Sequence, residues 1–518
     1  MSQHQADATG GGDGGEIARV PSLVPGLDAV LCGGFLRGGL YMVQGPPGAG
    51  KTILSNQIIY SRAAAEGDRA LFVTVLGESH GRMLAHLRPM RFFDPALLPE
   101  PVTYISAYQA LENDGLKGLA TLIFREVRAR GTTLLVLDGM SAVEAKAGAG
   151  FEMKRFTHEL QTLASATNCT MLLLTTASGA TNAPEHTMVD GLIELRQRLY
   201  GVRNERRLLV HKFRGSRFLE GEHAFHITRG GVAVFPRIEA VLATPTHRDP
   251  PPGTRVPSGI ASFDAMLGGG IPAATMTALV GPSGAGKTTL GLQFLAASSA
   301  VEPGLLFGCY EPPERLRLKA ATMSLDLAAA EQRGDVEILW HPVGEHILDG
   351  LAHQLLDAVR RRGVKRLVID GISGFEQAAV EPERIVRFWS ALSNELRALG
   401  VTTLHTLEMP ELVGPDIRLP VSGMSSLAEV MVLLRYVELR SRLYRLISLL
   451  KVREGAFDPT TREFAITGAG IVVGDPFEGV KAVLSGMARE AARRAAAAVA
   501  EGSEQGSPPP GNDTARSG

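Results

Sequence analysis

Two copies of one short pattern decide the fold of this 518-residue chain. Residues Gly45–Thr52 read GPPGAGKT, and residues Gly281–Thr288 read GPSGAGKT. Each copy follows a short apolar run and opens a stretch with helical spacing. The order of strand, glycine loop and helix is typical of a phosphate-binding loop. Two copies in matched contexts favour this interpretation over ordinary glycine-rich turns.

The residue types in both loops suit the phosphates of a nucleotide. Glycines let successive backbone N–H groups turn toward phosphate oxygens, and the following helix adds the positive end of its dipole. We expect Lys51 and Lys287 to contact the β- and γ-phosphates, and Thr52 and Thr288 to bind Mg²⁺. The chain is therefore predicted to bind ATP with Mg²⁺ at two sites. The glycines expected to line them are Gly45, Gly48, Gly50, Gly281, Gly284 and Gly286.

The repeat extends beyond the loops. Asp28 returns as Asp264, and both 264 − 28 and the lysine offset 287 − 51 are 236. The segment LLVLDG that contains Asp138 returns as LVIDG with Asp370. A repeat this long predicts a domain duplication rather than a solenoid. Because Asp138 and Asp370 end apolar strands, we predict that their carboxylates hold the water shell of the metal. The alternative is an aspartate that only caps a strand.

Strand-like and helix-like segments alternate along each half. In the first half we expect strands near residues 40–44, 70–76, 102–106, 133–138 and 170–176. Helical spacing between them, as in 115–130, predicts an α/β fold with a mostly parallel sheet flanked by helices in each half. The expected organisation is a disordered start at 1–17, a first domain at 18–243, a proline-rich linker at 244–254, a second domain at 255–475, a C-terminal segment at 476–500 and a disordered tail at 501–518.

Composition limits the classes of function. The formal net charge is −1 and the pI is about 6.9, so no global positive field attracts nucleic acid or an anionic membrane. No apolar run approaches the length of a membrane span, and we expect a cytoplasmic protein without membrane contact. The three cysteines, Cys32, Cys169 and Cys309, are widely spaced and are predicted to be buried small hydrophobic residues rather than metal ligands.

A nucleotide hydrolase also needs a carboxylate that orients or deprotonates the attacking group. Glu78 and Glu311 each follow the strand after a phosphate loop, at similar distances from Lys51 and Lys287. We predict that both glutamates, together with the two lysines, are catalytic. The alternative is a solvated loop glutamate.

Several longer strings resemble one family, the KaiC family of double-domain, RecA-like ATPases typified by a circadian-clock component. They are LLRYVELR at Leu433–Arg440 and the paired basic motifs HKFRG at His211–Gly215 and KVREG at Lys451–Gly455. The likeness extends over about residues 18 to 490 and implies two tandem RecA-like P-loop NTPase domains. It also implies ATP-dependent homo-hexamers, in which Lys212, Arg214, Lys451 and Arg453 reach nucleotide bound to a neighbouring subunit. The residues alone would indicate exposed surface charges.

The resemblance also implies a second activity, autophosphorylation in the second domain. Ser425 and Ser426 occupy the phosphoacceptor positions, counted back from Tyr436. The alternative is a serine pair that caps a helix or forms a turn. The family carries two adjacent glutamates at each catalytic strand end, whereas this chain has Glu78-Ser79 and Glu311-Pro312. We therefore expect hydrolysis to survive better than phosphotransfer.

The C-terminal part also resembles the family, in which residues matching Phe477–Gly486 line a channel and lead to a partner-binding tail. An alanine-rich helix is predicted over 487–500, and a regulatory protein at this tail is one expected partner. A DNA-handling recombinase is an alternative, but the loops at 177–185 and 408–416 contain no lysine or arginine, which argues against nucleic-acid binding. A nucleotide-gated scaffold with little turnover is another. The favoured interpretation is an ATPase and serine/threonine autokinase in signalling or clock-like regulation.

Overall fold

The computed structural model describes residues 17–75, 80–147, 150–176, 187–244, 253–409, 423–439, 442–453 and 455–477. The chain divides into two units. Residues up to Val241 belong to unit 1, and residues from Leu242 onward belong to unit 2. The expectations for residues 1–16, for 245–252 in the linker and for 478–518 lie outside the described residues, and they stay predictions.

The described residues of unit 1 include eleven strands, seven α-helices and one 3-10 helix at Pro95–Leu97. Its strands are β1 (Arg19–Val20), β2 (Phe35–Leu36), β3 (Leu40–Gln44), β4 (Ala70–Thr74), β5 (Val102–Ser106), β6 (Leu134–Asp138), β7 (Thr170–Thr175), β8 (Gly191–Tyr200), β9 (Arg203–Phe213), β10 (Glu222–Thr228) and β11 (Gly231–Phe235). Its helices are α1 (Leu27–Val30), α2 (Lys51–Glu66), α3 (His80–Leu87), α4 (Tyr108–Arg130), α5 (Met140–Ala147), α6 (Gly150–Thr167) and α7 (Ile238–Val241).

Unit 2 repeats this series, with eleven strands, eight α-helices and one 3-10 helix at Pro382–Arg384 described. Its strands are β12 (Arg255–Val256), β13 (Ile271–Pro272), β14 (Met276–Gly281), β15 (Gly304–Gly308), β16 (Val336–Trp340), β17 (Arg366–Asp370), β18 (Thr402–Glu408), β19 (Val430–Leu439), β20 (Arg442–Val452), β21 (Arg462–Thr467) and β22 (Gly470–Pro476). Its helices are α8 (Ala261–Met266), α9 (Lys287–Ala296), α10 (Pro313–Ala321), α11 (Leu327–Arg333), α12 (Leu348–Arg362), α13 (Ile372–Ala378), α14 (Ile385–Ala398) and α15 (Met424–Leu427).

Each unit is built on a nine-stranded sheet, and the two sheets share one topology. The strand order is β5-β4-β6-β7-β3-β8-β9-β10-β11 in unit 1 and β16-β15-β17-β18-β14-β19-β20-β21-β22 in unit 2. Neighbours from β5 to β8 are parallel, and β9 to β11 continue antiparallel. The predicted α/β fold with a mostly parallel sheet in each half is confirmed, and so are the five strands expected in the first half.

The apolar runs become central strands because helices cover both faces of the sheet. Every residue of β3, β4 and β7 is buried, which is the pattern expected for parallel strands in a layered α/β unit. Parallel packing brings the carboxyl ends of these strands to one edge of the sheet. That edge carries the phosphate loop after β3 and Asp138 at the end of β6.

The cysteines are only partly as expected. Cys169 and Cys309 are buried, and burial raises the pKa of each thiol to about 12. Cys32 is exposed, so the prediction of burial is wrong there. It lies in the turn between α1 and β2 with a φ of 52°, outside the strands and helices whose faces form the core.

Two candidate nucleotide sites

Both phosphate loops connect a central strand to a helix at the same edge of the sheet. One runs from the end of β3 to the start of α2 at Lys51, and the other from the end of β14 to the start of α9 at Lys287. Gly50 and Gly286 precede these helices with φ of 104° and 108°, which side chains rarely tolerate. A Cβ at Gly286 would also lie 2.6 Å from the Phe464 ring. The local fold therefore requires glycine there.

The loop lysines lie inside the concavity that the loops form. The Lys51 Nζ donates to the carbonyl oxygens of Gly45 at 2.6 Å and Pro46 at 3.1 Å. The Lys287 Nζ donates in the same way to Gly281 and Pro282, both at 2.8 Å. Burial lowers the pKa of both amines, and nearby carboxylates oppose that shift. A bound anion stabilises such a cation, which is the role predicted for both lysines.

A threonine hydroxyl and an aspartate carboxylate meet at each site. The Thr52 Oγ1 donates to the Asp138 Oδ2 at 3.2 Å, and the Thr288 Oγ1 donates to the Asp370 Oδ1 at 3.1 Å. Asp370 is 8% exposed, and burial raises the pKa of its carboxyl, while hydroxyl hydrogen bonds oppose that shift. Hydroxyl and carboxylate oxygens are the donors that Mg²⁺ prefers. The residues present fit the predicted metal at both sites.

The phosphate loop of unit 2 opens into a cleft of about 390 Å³. Lys287 and Asp370 line it, and so does the predicted catalytic carboxylate Glu311. The Glu311 side chain is about a third exposed and forms an ion pair with Lys319 of α10, which also lines the cleft. The structure therefore brings these predicted residues together. The predicted counterpart in unit 1, Glu78, lies outside the described residues.

The basic motif of unit 1 lies at the other edge of its sheet. The Lys212 Nζ donates to the carbonyl oxygens of Thr187 at 3.0 Å and Val189 at 2.7 Å. Arg214 donates from its backbone N–H to Asp190, whose own N–H donates to Leu40, the first residue of β3. The phosphate loop begins beyond the last residue of β3, about 13 Å along the strand. Lys212 and Arg214 therefore lie away from the phosphate loop of their own unit.

Unit 2 has the same arrangement. The Lys451 Nζ donates to the carbonyl oxygens of Ser425 at 2.6 Å and Ala428 at 2.8 Å, and Arg453 donates to that of Ser426. Burial, and then the neighbouring Arg453, lower the pKa of Lys451. Ser425 and Ser426 lie on α15 with exposed side chains. This segment leads into β19 beside the start of β14, whereas the phosphate loop follows the end of β14, about 17 Å along that strand.

The chain is similar to known proteins along most of its length. A family model described as "ATPase: KaiC" matches it twice, at residues 20–239 and 256–478. The chain belongs to the KaiC family. Circadian clock oscillator protein KaiC of Picosynechococcus sp. is 25% identical over 484 residues, which cover 91% of this chain and 92% of that protein. The KaiC of Synechococcus elongatus is 26% identical over 503 residues, 94% of this chain and 92% of that protein.

The match confirms the predicted family and the tandem RecA-like domains. Within the described residues, no helix is both long and apolar enough to cross a membrane. The loops at 177–185 and 410–416, whose lack of lysine and arginine argues against nucleic-acid binding, lie outside the described residues. What the chain has in common with KaiC proteins at this distance is the ATPase architecture, while the acceptor and trans-acting residues stay predictions.

The structure also adds residues that the sequence did not single out. The Tyr436 Oη donates to the carbonyl oxygen of Gly284 at 2.6 Å, and the Gln197 Nε2 donates to that of Gly48 at 3.1 Å, so strands β19 and β8 each support a phosphate loop. The Thr406 Oγ1 donates to the Asp370 Oδ1 at 2.7 Å. Tyr436 belongs to the segment Leu433–Arg440, which resembles the KaiC family in sequence. Thr406 gave no sequence signal, since threonine is common in strands.

Proposed function

We propose that this KaiC-family chain hydrolyses ATP at both loops, within an ATP-dependent ring whose sites are shared between copies, and that unit 2 also phosphorylates Ser425 and Ser426. The observation that carries the proposal is the position of two cation pairs, Lys212 with Arg214 in unit 1 and Lys451 with Arg453 in unit 2. They lie at the edge of the sheet opposite the phosphate loop of their own unit. They therefore do not reach the nucleotide of that unit, and we assign their contact to nucleotide bound by another copy.

At each site, different residues bind the phosphates, hold the metal and act on the attacking group. Loop N–H groups and Lys51 or Lys287 bind the phosphates, and Thr52 with Asp138, or Thr288 with Asp370, hold the metal. Bound Mg²⁺ supplies neutralisation of charge on the phosphates. Glu311 orients or deprotonates the attacking group in unit 2, and Glu78 does so in unit 1.

The cation pairs complete each site from the next copy. Lys212 and Arg214, or Lys451 and Arg453, offset the charge that develops on the γ-phosphoryl group. A contact that joins one edge of a copy to the opposite edge of the next is heterologous, and such contacts form a ring when the rotation between copies closes. The hexamer is the ring size that the family implies.

Phosphotransfer uses the same geometry. The exposed hydroxyls of Ser425 and Ser426 lie on the segment that Lys451 and Arg453 bind. When these cations reach the γ-phosphoryl group of a neighbour's ATP, the two hydroxyls therefore lie near that group as well. Serine Oγ attacks phosphorus, ADP leaves, and Glu311 of the copy that binds the ATP takes the proton. Because Pro312 follows Glu311, this site has one carboxylate where the family has two, and we expect transfer to be slow.

The biological setting proposed is signalling or clock-like regulation, because the relatives are named circadian clock oscillator proteins. A regulatory protein at the C-terminal tail is part of the same proposal. The near-neutral net charge supports the view that nucleic acid is not the partner.

Mixing two defective forms of the full chain tests transfer between copies. Lys287→Ala removes the donor of unit 2, and Ser425→Ala/Ser426→Ala removes the acceptors. After incubation with Mg·ATP, mass spectrometry of the mixture is expected to find phosphate on the serines of the Lys287→Ala copies, which neither form gains alone. If wild type gains phosphate but the mixture gains none, transfer does not run between copies.

A second variant tests the cation pair through hydrolysis. In a Lys51→Ala background, where only unit 2 turns over, Lys451→Ala/Arg453→Ala is expected to lower kcat about a hundredfold. Arg333→Ala is the matched control, since Arg333 is an exposed arginine that pairs only locally with Asp335. Native mass spectrometry with ATP shows whether each variant still forms the ring. An intact ring with unchanged kcat would remove the trans-acting role.

A further inference from the structure

The segment of unit 1 that contains Thr187 matches the segment of unit 2 that contains Ser425 and Ser426, the predicted phosphoacceptors. The basic residues of the two units are separated by one offset, because 451 − 212 and 453 − 214 are both 239. The same offset carries Ser426 back to Thr187. Unit 1 therefore has a hydroxyl residue at the position that corresponds to a predicted phosphoacceptor of unit 2.

Two hydrogen bonds of each segment correspond, whereas the second lysine contact is to Thr187 in unit 1 and to Ser425 in unit 2. Arg214 Nη2 donates to the carbonyl oxygen of Thr187 at 2.7 Å, and Arg453 Nη2 donates to that of Ser426. Two residues further on, the carbonyl oxygen of Val189 accepts from Lys212 at 2.7 Å, as that of Ala428 does from Lys451 at 2.8 Å. The backbone of Thr187 is thus held as the backbone of Ser426 is.

Each segment is also fixed to the strand that precedes the phosphate loop. The Asp190 Oδ2 accepts from the N–H of Leu40 at 2.9 Å, and the Glu429 Oε2 accepts from the N–H of Met276 at 2.9 Å. Thr187 is exposed, as Ser426 is. Each hydroxyl therefore lies at the corresponding edge of the sheet of its own unit, beside a lysine and an arginine that bind its segment.

We propose that Thr187 is a phosphoacceptor of unit 1, an inference that rests on the ring and the phosphotransfer proposed above. Thr187 Oγ1 attacks the γ-phosphorus of ATP, and an O–P bond forms. The bond from that phosphorus to the β,γ-bridging oxygen breaks, its electron pair leaves with ADP, and the hydroxyl proton passes to solvent. No co-reactant beyond ATP is needed.

The donor is the phosphate loop of unit 1 in another copy. Within its own copy, Thr187 lies beside the start of β3, and the loop with Lys51 follows the end of that strand. Lys212 and Arg214 bind the segment of Thr187, so the contact that places these cations at a neighbour's nucleotide also brings the threonine near it.

The test isolates unit 1 as donor in the full chain. Lys287→Ala/Ser425→Ala/Ser426→Ala removes the donor and the acceptors of unit 2. This triple variant is incubated with Mg·ATP, and phosphate is located by peptide mass spectrometry. The expected result is phosphate on Thr187 that is lost with added Lys51→Ala or Thr187→Ala and retained with Thr187→Ser. Thr121→Ala, at an exposed threonine on α4, is the control and is expected to retain it.

The outcomes separate the two proposals when wild type is analysed in parallel. Phosphate on Ser425 or Ser426 but not on Thr187 overturns this inference and leaves the proposed function in place. Phosphate on Thr187 alone supports the inference and overturns the assignment of the serines. No phosphate at any of these residues overturns both. Phosphate on Thr187 that persists with Lys51→Ala also overturns the inference, because its source is then not the loop of unit 1.

Discussion

A buried ion pair in unit 2 offers a sharp test of the structure. The Arg384 Nη2 donates to the Asp349 Oδ1 at 2.9 Å and to its Oδ2 at 3.2 Å, and the Nη1 donates to Oδ2 at 3.2 Å. Asp349 is 1% exposed and Arg384 is 9% exposed. The pair joins the start of α12 to the residue before α14, two helices of the same unit.

Asp349→Ala is expected to lower the free energy of unfolding of unit 2 by about 3–5 kcal/mol, because it leaves a guanidinium without its carboxylate in a buried setting. At a urea dependence of about 2 kcal/mol per molar, the unfolding midpoint falls by about 2 M. Replacing both partners by apolar residues, Asp349→Leu/Arg384→Met, is expected to recover most of the loss, since neither charge of the pair then remains.

The chain provides a selective probe for this measurement. Both of its tryptophans, Trp340 and Trp389, lie in unit 2, so tryptophan fluorescence follows the unfolding of that unit. Glu314→Ala is the control, because Glu314 is 76% exposed in its ion pair and such pairs contribute little. The reasoning is refuted if Asp349→Ala costs no more than Glu314→Ala, or if the double variant is as unstable as the single one.

Three further predictions concern the site and its surroundings. Burial lowers the pKa of His405 to about 3, so between about pH 6.5 and pH 3 the unfolded chain takes up a proton at this histidine and the folded chain does not. The free energy of unfolding is therefore expected to fall by about 1.4 kcal/mol per pH unit over this range. His405→Phe is expected to remove this contribution, which urea titrations at several pH values measure. Gly286→Ala is expected to abolish nucleotide binding by unit 2, measured by calorimetry in a Lys51→Ala background, because its Cβ would meet Phe464. Thr406→Val removes a hydrogen bond from Asp370 and is expected to raise the Mg²⁺ concentration needed for hydrolysis, whereas Thr406→Ser is not.

The sequence predicted the elements whose cause is local. The phosphate loops, the strands before them and the aspartates at strand ends follow from glycine spacing and apolar runs. The observed strands β3, β4, β5, β6 and β7 accordingly lie within two residues of their expected limits. The prediction that Cys32 is buried was wrong because burial depends on where the chain turns. The residue type of a cysteine next to Gly33 does not indicate that turn.

Other parts of the site depend on contacts between distant segments. Tyr436 reaches the phosphate loop because β19 pairs with β14, and Thr406 reaches Asp370 because β18 lies between β14 and β17. The correspondence of Thr187 with Ser426 follows from a residue offset, but only the structure shows that the carbonyl oxygen of each accepts from an arginine. No local pattern in the sequence specifies such pairings.

The sequence by itself determined that there are two nucleotide loops, a duplicated α/β domain and a KaiC-like chain, because these follow from residue types at short, fixed spacings. Only the tertiary structure decided at which edge of the sheet each group lies. Strand order and register separate the cation pairs and the hydroxyl residues from the loops of their own units by about the length of a strand. That separation, set by hydrogen bonding between strands far apart in sequence, is the observation on which the proposal of sites shared between copies rests.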